Sequence, residues 1–225
     1  MRLRGVPRAH GWDCAQPVTT ELAAQFKAAG YKFVVRYLNR WKQVNAEPKA
    51  DIGGWAYSLS ASERDVILDA GLALGLTQFC DTVDDAHYSS DDITGGNGRK
   101  LGEAMVANAR GLGMPLGMHL FFDYEFAEGP TVAAVTEHLT GWASVVRAAG
   151  YRCGLYVGCS ILSGAELYRL PYYDSYWQSG AIVPEVERRG YALTQTPEQL
   201  QYGLDIDGDQ GRYDALGDRP MFCVK

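Results

Sequence analysis

Apolar runs of strand length alternate with helical patterns along this chain, and glycine marks each passage from helix to strand. Residues 28–37 read AAGYKFVVRY and residues 148–157 read AAGYRCGLYV. RRGYAL at 188–193 is a weaker copy; DAGLALGL at 69–76 and RGLGMPLGMHL at 110–120 are of the same type. In each, a helical pattern ends at a glycine, which supplies the left-handed cap that a Cβ disfavours, and an apolar strand follows. The junction glycines are Gly30, Gly71, Gly113, Gly150 and Gly190. Their spacing of roughly 40 residues suits one strand, one loop and one helix of a barrel unit.

The helical segments carry apolar stripes. VTTELAAQFKAAG places Leu22, Phe26 and Ala29 on one face, and TVAAVTEHLTGWASVVRAAG aligns Val132, Val135, Leu139, Trp142 and Val146. In SASERDVILDAG, Ser60 stands as N-cap with Glu63 three residues on, the pattern of a capping box. Strands alternating with helices predict an α/β fold with a parallel sheet, either a (β/α)8 TIM-like barrel or an open doubly wound sheet. No glycine-rich phosphate fingerprint follows the first strand, so the barrel is favoured. The 225 residues are read as one domain. That length is tight for eight units, so an irregular or shortened far side is expected.

Composition narrows the class. Hydrophobic residues make up 47% and charged residues 21%, an ordinary globular balance. A net charge of −6 without a basic cluster argues against nucleic acid or an anionic membrane surface as partner. No apolar run approaches the ~18 residues of a membrane span. The N-terminus, MRLRGVPRAHGWD, has no apolar core of a secretory signal. The cysteines at 14, 80, 153, 159 and 223 form no C-x-x-C pair and read as buried thiols rather than a zinc site.

Ligands of both parallel architectures bind at the carboxyl ends of the strands. Strand one, AHGWD, ends at Asp13; KFVVRYL ends at Arg36 and Tyr37; LGLTQFCD ends at Gln78 to Asp81. HLFFDYE ends at Asp123 and Glu125, RCGLYVG at Tyr156, and DSYWQS at Trp177 and Gln178. EQLQYGLDIDGD is read as one last strand through Gln201 and Tyr202, running into Asp205, Asp207 and Asp209. Alternation puts Phe121, Asp123 and Glu125 on one face. Arg36 is the expected partner of buried carboxylates.

Two carboxylates in an aromatic setting suit glycoside cleavage. Glu125, followed by Phe126 and facing Tyr156 or Trp177, is the candidate acid, its pKa raised by apolar surroundings and a neighbouring charge. Asp123 and Asp13 would orient or stabilise developing positive charge, and exposed Trp and Tyr rings would stack on sugars. An i, i+2 separation of about 6.6 Å leaves a retaining, inverting or substrate-assisted course open.

GWDCAQPVTTELAAQFKAAGYKFVVRYL, HLFFDYE, YRCGLYVG and LQYGLDIDGD together resemble the glycoside-hydrolase-like TIM-barrel domain catalogued as a domain of unknown function (number 1906), which is related to the family 25 lysozymes. The resemblance runs from about residue 10 to 217. It implies Asp13 on the first strand, and Asp123 and Glu125 on the fourth with Glu125 as proton donor. It also implies Gln201-Tyr202 with Asp205 or Asp207 on the last strand; Arg36 and Tyr156 fit looser positions. The implied protein is a peptidoglycan hydrolase without cofactor or metal, a monomeric phage lysin or antibacterial effector made in the cytoplasm and released by lysis or dedicated export. The segments 40–60, with Trp41, Trp55 and Tyr57, and 81–98 are longer than simple βα loops and are expected to reshape or lid the cleft.

Two other readings stay open. One is a carbohydrate-binding barrel that keeps the site without turnover. The other is a metal-dependent hydrolase using Asp13, His119 or the Asp205–Asp209 run. That run lacks the glycine and glutamate of a calcium loop, since Gln210 and Leu216 stand there, and His119 is expected low in the barrel and hydrogen-bonded.

Overall fold

The structure, a computed structural model, describes residues 1–38, 50–52, 56–78, 93–125 and 129–225. In chain order its strands are β1 (Arg2–Gly5), β2 (His10–Cys14), β3 (Phe33–Leu38), β4 (Ala50–Ile52), β5 (Ala56–Tyr57), β6 (Ala73–Gln78), β7 (His119–Tyr124), β8 (Arg152–Val157), β9 (Tyr173–Gln178), β10 (Leu193–Gln201), β11 (Leu204–Gly211) and β12 (Met221–Val224). The helices are α1 (Thr20–Ala28), α2 (Ala61–Asp69), α3 (Gly95–Gly111), α4 (Val132–Ala148) and α5 (Gly164–Arg169). Eight strands close a ring in the order β2, β3, β6, β7, β8, β9, β10, β11, with β11 returning to β2. The fold is therefore the expected α/β barrel. Its far side is irregular as well: no helix separates β9 from β10, and β11 runs antiparallel to both of its neighbours.

The glycine punctuation holds at all five junctions. Gly30, Gly71, Gly113, Gly150 and Gly190 have φ between +67° and +96°. Before Gly190, however, stands a turn rather than a helix. The segment read as one last strand is a hairpin of β10 and β11, turning at Tyr202 (φ 54°) and Gly203 (φ 78°). Two consecutive positive φ values are those of a type I′ turn. A tyrosine in the first position hides such a turn from a sequence reading.

Two layers of apolar side chains hold the barrel. Outward residues such as Trp12, Leu76, Phe122 and Leu155 pack beneath the helices with Phe26, Val135, Leu139, Trp142 and Val146. Val132, placed on the same stripe, instead faces solvent from the first turn of α4. Inside the ring, Phe33, Phe121 and Phe222 fill the floor. Each occupies space opened by a glycine: a Cβ on Gly11, Gly154 or Gly75 would overlap the ring of Phe33, Phe121 or Phe222 respectively. Phe222 is carried in by β12, which pairs with β6 at Cys223 and Leu74, below the level where β6 meets β7. His119 lies in this floor, fully buried, with Asp174 Oδ1 2.9 Å from its Nε2 and the Met221 N–H donating to its Nδ1 at 2.9 Å. The expectation for His119 is thereby met, and both of its nitrogens are occupied away from the mouth. Cys14, Cys153 and Cys223 are buried, and Cys159 is half-buried.

Only half of the Ser60 capping box forms. The Glu63 N–H donates to Ser60 Oγ at 3.1 Å, but the Glu63 carboxylate turns away to accept from the Val18 N–H and from Arg36. A reciprocal box stands instead at Ser163 and Glu166 on α5. We expect Ser163→Ala to cost about 1 kcal/mol. Thermal unfolding should read that as a midpoint lowered by about 2–4 °C at this chain length; an unchanged midpoint would show that α5 does not depend on its cap.

Candidate active site

Alternation along the ring strands points Gly11 and Asp13 of β2, Phe33 and Val35 of β3, Phe121 of β7, and Trp177 of β9 inward. The carboxylates occupy the mouth end. Asp13 and Asp123 are buried, and Glu125 follows β7 half-buried. The register of β2 with β11 sets Asp207 opposite Asp13 and Asp209 opposite Gly11. Glu125 lies against Gly158 at the end of β8, where a Cβ would come within 3.0 Å of it. The absent side chain at 158 thus gives the glutamate its place.

Gln195 ties the cluster together. Its Nε2 donates to Asp13 Oδ2 at 3.1 Å and to Asp207 Oδ2 at 3.0 Å. Its Oε1 accepts from the Tyr156 hydroxyl at 3.1 Å and from the Gly180 N–H at 3.0 Å. With both amide hydrogens and the carbonyl engaged, the carboxamide has one orientation. Gln195 sits where the β10–β11 register shifts, and that irregularity aims the side chain into the mouth.

Several acids crowded out of solvent have their pKa values raised. Burial and then the charge of Asp207 push Asp13 up to about 8, against hydrogen bonds from Gln195 and Asp209. Burial and then Glu198 push Asp207 up to about 6. Glu125 is raised by burial and then by Asp207. Asp209 is raised well above its ordinary value by burial and then by Asp13. Tyr37 and Tyr156 are also raised, by burial and by the surrounding carboxylates, which places both hydroxyls beside the cluster.

The structure thus brings together Asp13, Asp123, Glu125, Tyr37, Tyr156 and Asp207. Trp177 is present beneath them but only 1% exposed, its ring edge-on to Tyr156 and Phe121, so it forms the floor and offers no face for sugar stacking. Arg36 points outward. Its guanidinium pairs with Glu63 of α2 at 2.7 Å and donates to the Cys14 carbonyl, so the expected partner of the mouth carboxylates is committed to another acid. Gln78 also points outward, donating to the Leu101 carbonyl at 3.2 Å and accepting from the Trp142 indole at 2.8 Å. Gln201 is at the hairpin tip, accepting from the Tyr31 hydroxyl at 2.7 Å. Asp205 shares a strand face with Asp207 but stands exposed further out on the hairpin. Asp81, Phe126, Trp41 and Trp55 lie outside the described residues, as does most of the two long loops.

The sequence reading missed Gln195 and the role of Gly158, and took Asp209 only as part of an acidic run. The signal for Asp209 was its i, i+2 spacing from Asp207 on a short alternating strand. Gln195 carried no such mark.

Comparison with solved structures places this geometry in a known fold. An uncharacterized B. stearothermophilus protein aligns over 90% of this chain and 95% of its own, with a TM-score of 0.62 and 18% identity. A muramidase from Trichobolus zukalii aligns over 91% and 93%, at 0.60 and 14%. The catalytic domain of endolysin ply40 from Listeria monocytogenes bacteriophage P40 aligns over 91% and 93%, at 0.55 and 20%. At these identities the likeness is one of fold. No curated protein matches the chain. The family profile that does match spans residues 24–214, from α1 to just beyond β11, taking in Asp123, Glu125, Gln195 and Asp207. On that match the chain belongs to the Rv2525c-like, glycoside hydrolase-like domain family.

Proposed function

We propose that the barrel hydrolyses the glycan strands of peptidoglycan, with Glu125 as general acid. The observation that carries the reading is Glu125 itself: half-buried at the mouth over Gly158, it is a carboxyl whose pKa is raised by burial and then by the charge of Asp207. A carboxyl raised in this way is suited to donate to a leaving glycosidic oxygen. Asp123, buried on the same strand, faces the sugar that acquires positive charge as the bond lengthens. Asp13 and Asp207, spanned by Gln195, complete the carboxyl cluster of the mouth. The muramidase and endolysin among the structural relatives support peptidoglycan as the substrate class. The wall would be reached after lysis or by dedicated export.

Purified peptidoglycan incubated with the protein should gain reducing ends. The rate should fall as pH rises through the Glu125 titration, because the acid form is the working one. Saccharide binding without new reducing ends, across wall types and pH, would assign the barrel to carbohydrate binding instead.

A further inference from the structure

Asp209 is fully buried inside the ring, and neither of its carboxyl oxygens accepts a hydrogen bond among the described residues. The groups that face it are few. Asp13 of β2, one step diagonal to Asp209 in the β2–β11 register, and Asp207 of its own strand are acids. Trp177 of β9 turns its indole N–H toward Asp209, and Gln195, opposite it on β10, spends both amide hydrogens on Asp13 and Asp207. A buried carboxylate that receives so little compensation is costly; a carboxylic acid in the same place has a proton to give. Asp13 can accept a hydrogen bond from that proton, because as the member of the pair that already receives the Gln195 amide at Oδ2 it is the better equipped to carry the charge.

The geometry points to Asp209 as a neutral carboxylic acid that donates its hydroxyl hydrogen to Asp13, fixing the orientation of the Asp13 carboxyl and making Asp13 the member of the pair that ionises. The O–H bond of Asp209 stays intact; Asp13 ionises by releasing its own proton to solvent. Asp209 is then a positioning residue, acting on the mouth through Asp13. Its consequence for hydrolysis rests on the function proposed above, whereas its protonation does not.

Infrared spectra of the whole chain carrying carboxyl-labelled aspartate read the pair without substrate. At pH 9 the wild type should keep a protonated-carboxyl carbonyl band from aspartate. Asp209→Asn, which preserves shape, should abolish it, and Asp13→Asn should keep it. A wild type without the band at pH 9, or a band that survives Asp209→Asn, would overturn the assignment. In an enzyme active on peptidoglycan, Asp209→Leu, which removes the donor, should move the Asp13 limb of the pH–rate profile upward by about one unit, with a smaller shift in Asp209→Asn. Equal shifts in the two variants would count against donation. A blank peptidoglycan assay with the band present would reject the hydrolase and keep the pair.

Discussion

Glu125→Gln is expected to lower peptidoglycan hydrolysis by about 10²–10⁴-fold while leaving saccharide binding nearly unchanged, the factor general acid catalysis commonly supplies. Glutamine keeps the size of the side chain and its place over Gly158, so no space opens in the mouth. What it removes is the transferable proton. Burial and then the charge of Asp207 raise the pKa of Glu125 and so favour that proton, and its loss is expected to fall on the chemical step. Reducing-end release and calorimetric binding of a glycan fragment, measured on the same preparations, separate the two effects. Binding lost together with turnover would make Glu125 a substrate contact or a structural residue. Turnover retained would move the acid to Asp13 or Asp207, the mouth carboxyls pushed up to about 8 and about 6.

The barrel was legible because its signals are local. A glycine with positive φ closes each repeat, and a strand follows within a few residues. The carboxylates were legible because Asp13, Asp123 and Glu125 stand at strand ends, where a barrel opens. Facing was harder. Arg36 and Tyr37 are adjacent at the end of β3, so alternation sends one inward and one outward. Both were named for the mouth, but the structure gives Tyr37 to the mouth and Arg36 to Glu63. Glu63 had been read as a capping residue for the same reason: a local motif was visible and a partner 27 residues away was not. Gln78 and Thr77 repeat the pattern on β6. Gln201 was misplaced by the concealed hairpin, which moved the last polar strand end from the mouth to the outer layer beside Tyr31. Gln195 became visible only when β9, β10 and β11 were brought side by side.

The second large effect is on stability, which should fall as pH rises from about 6.5 to 8. Asp13 has its folded pKa raised from 3.8 to about 8, and Asp209 is also raised well above its ordinary value, both by burial first. An acid whose folded pKa lies above its unfolded one stabilises the fold fully below the unfolded value, and that contribution is lost as pH climbs through the folded value. From pH 4 upward the folded protein therefore holds protons that the unfolded chain has released. Two buried histidines oppose this at first. Burial lowers His119 below 6.5 and lowers His138 to about 4, so each favours folding more as pH rises toward 6.5. Above 6.5 both histidines are neutral in either state and their opposition ends. The raised carboxyls then act without that opposition, Asp207 and Glu125 adding to the Asp13–Asp209 pair, which contributes up to about 3 kcal/mol per pH unit for two retained protons. Asp174, held down to about 2 against its own burial by His119 and Arg152, matters only in acid, where its contribution is lost as pH falls. Thermal melts at pH 6.5, 7.25 and 8 should show the midpoint dropping, and Asp13→Asn combined with Asp209→Asn should flatten the series. A wild-type midpoint that stays level over this range would mean the pair is already ionised in the folded protein. The mouth would then carry its full negative charge, a different electrostatic setting for the proton on Glu125.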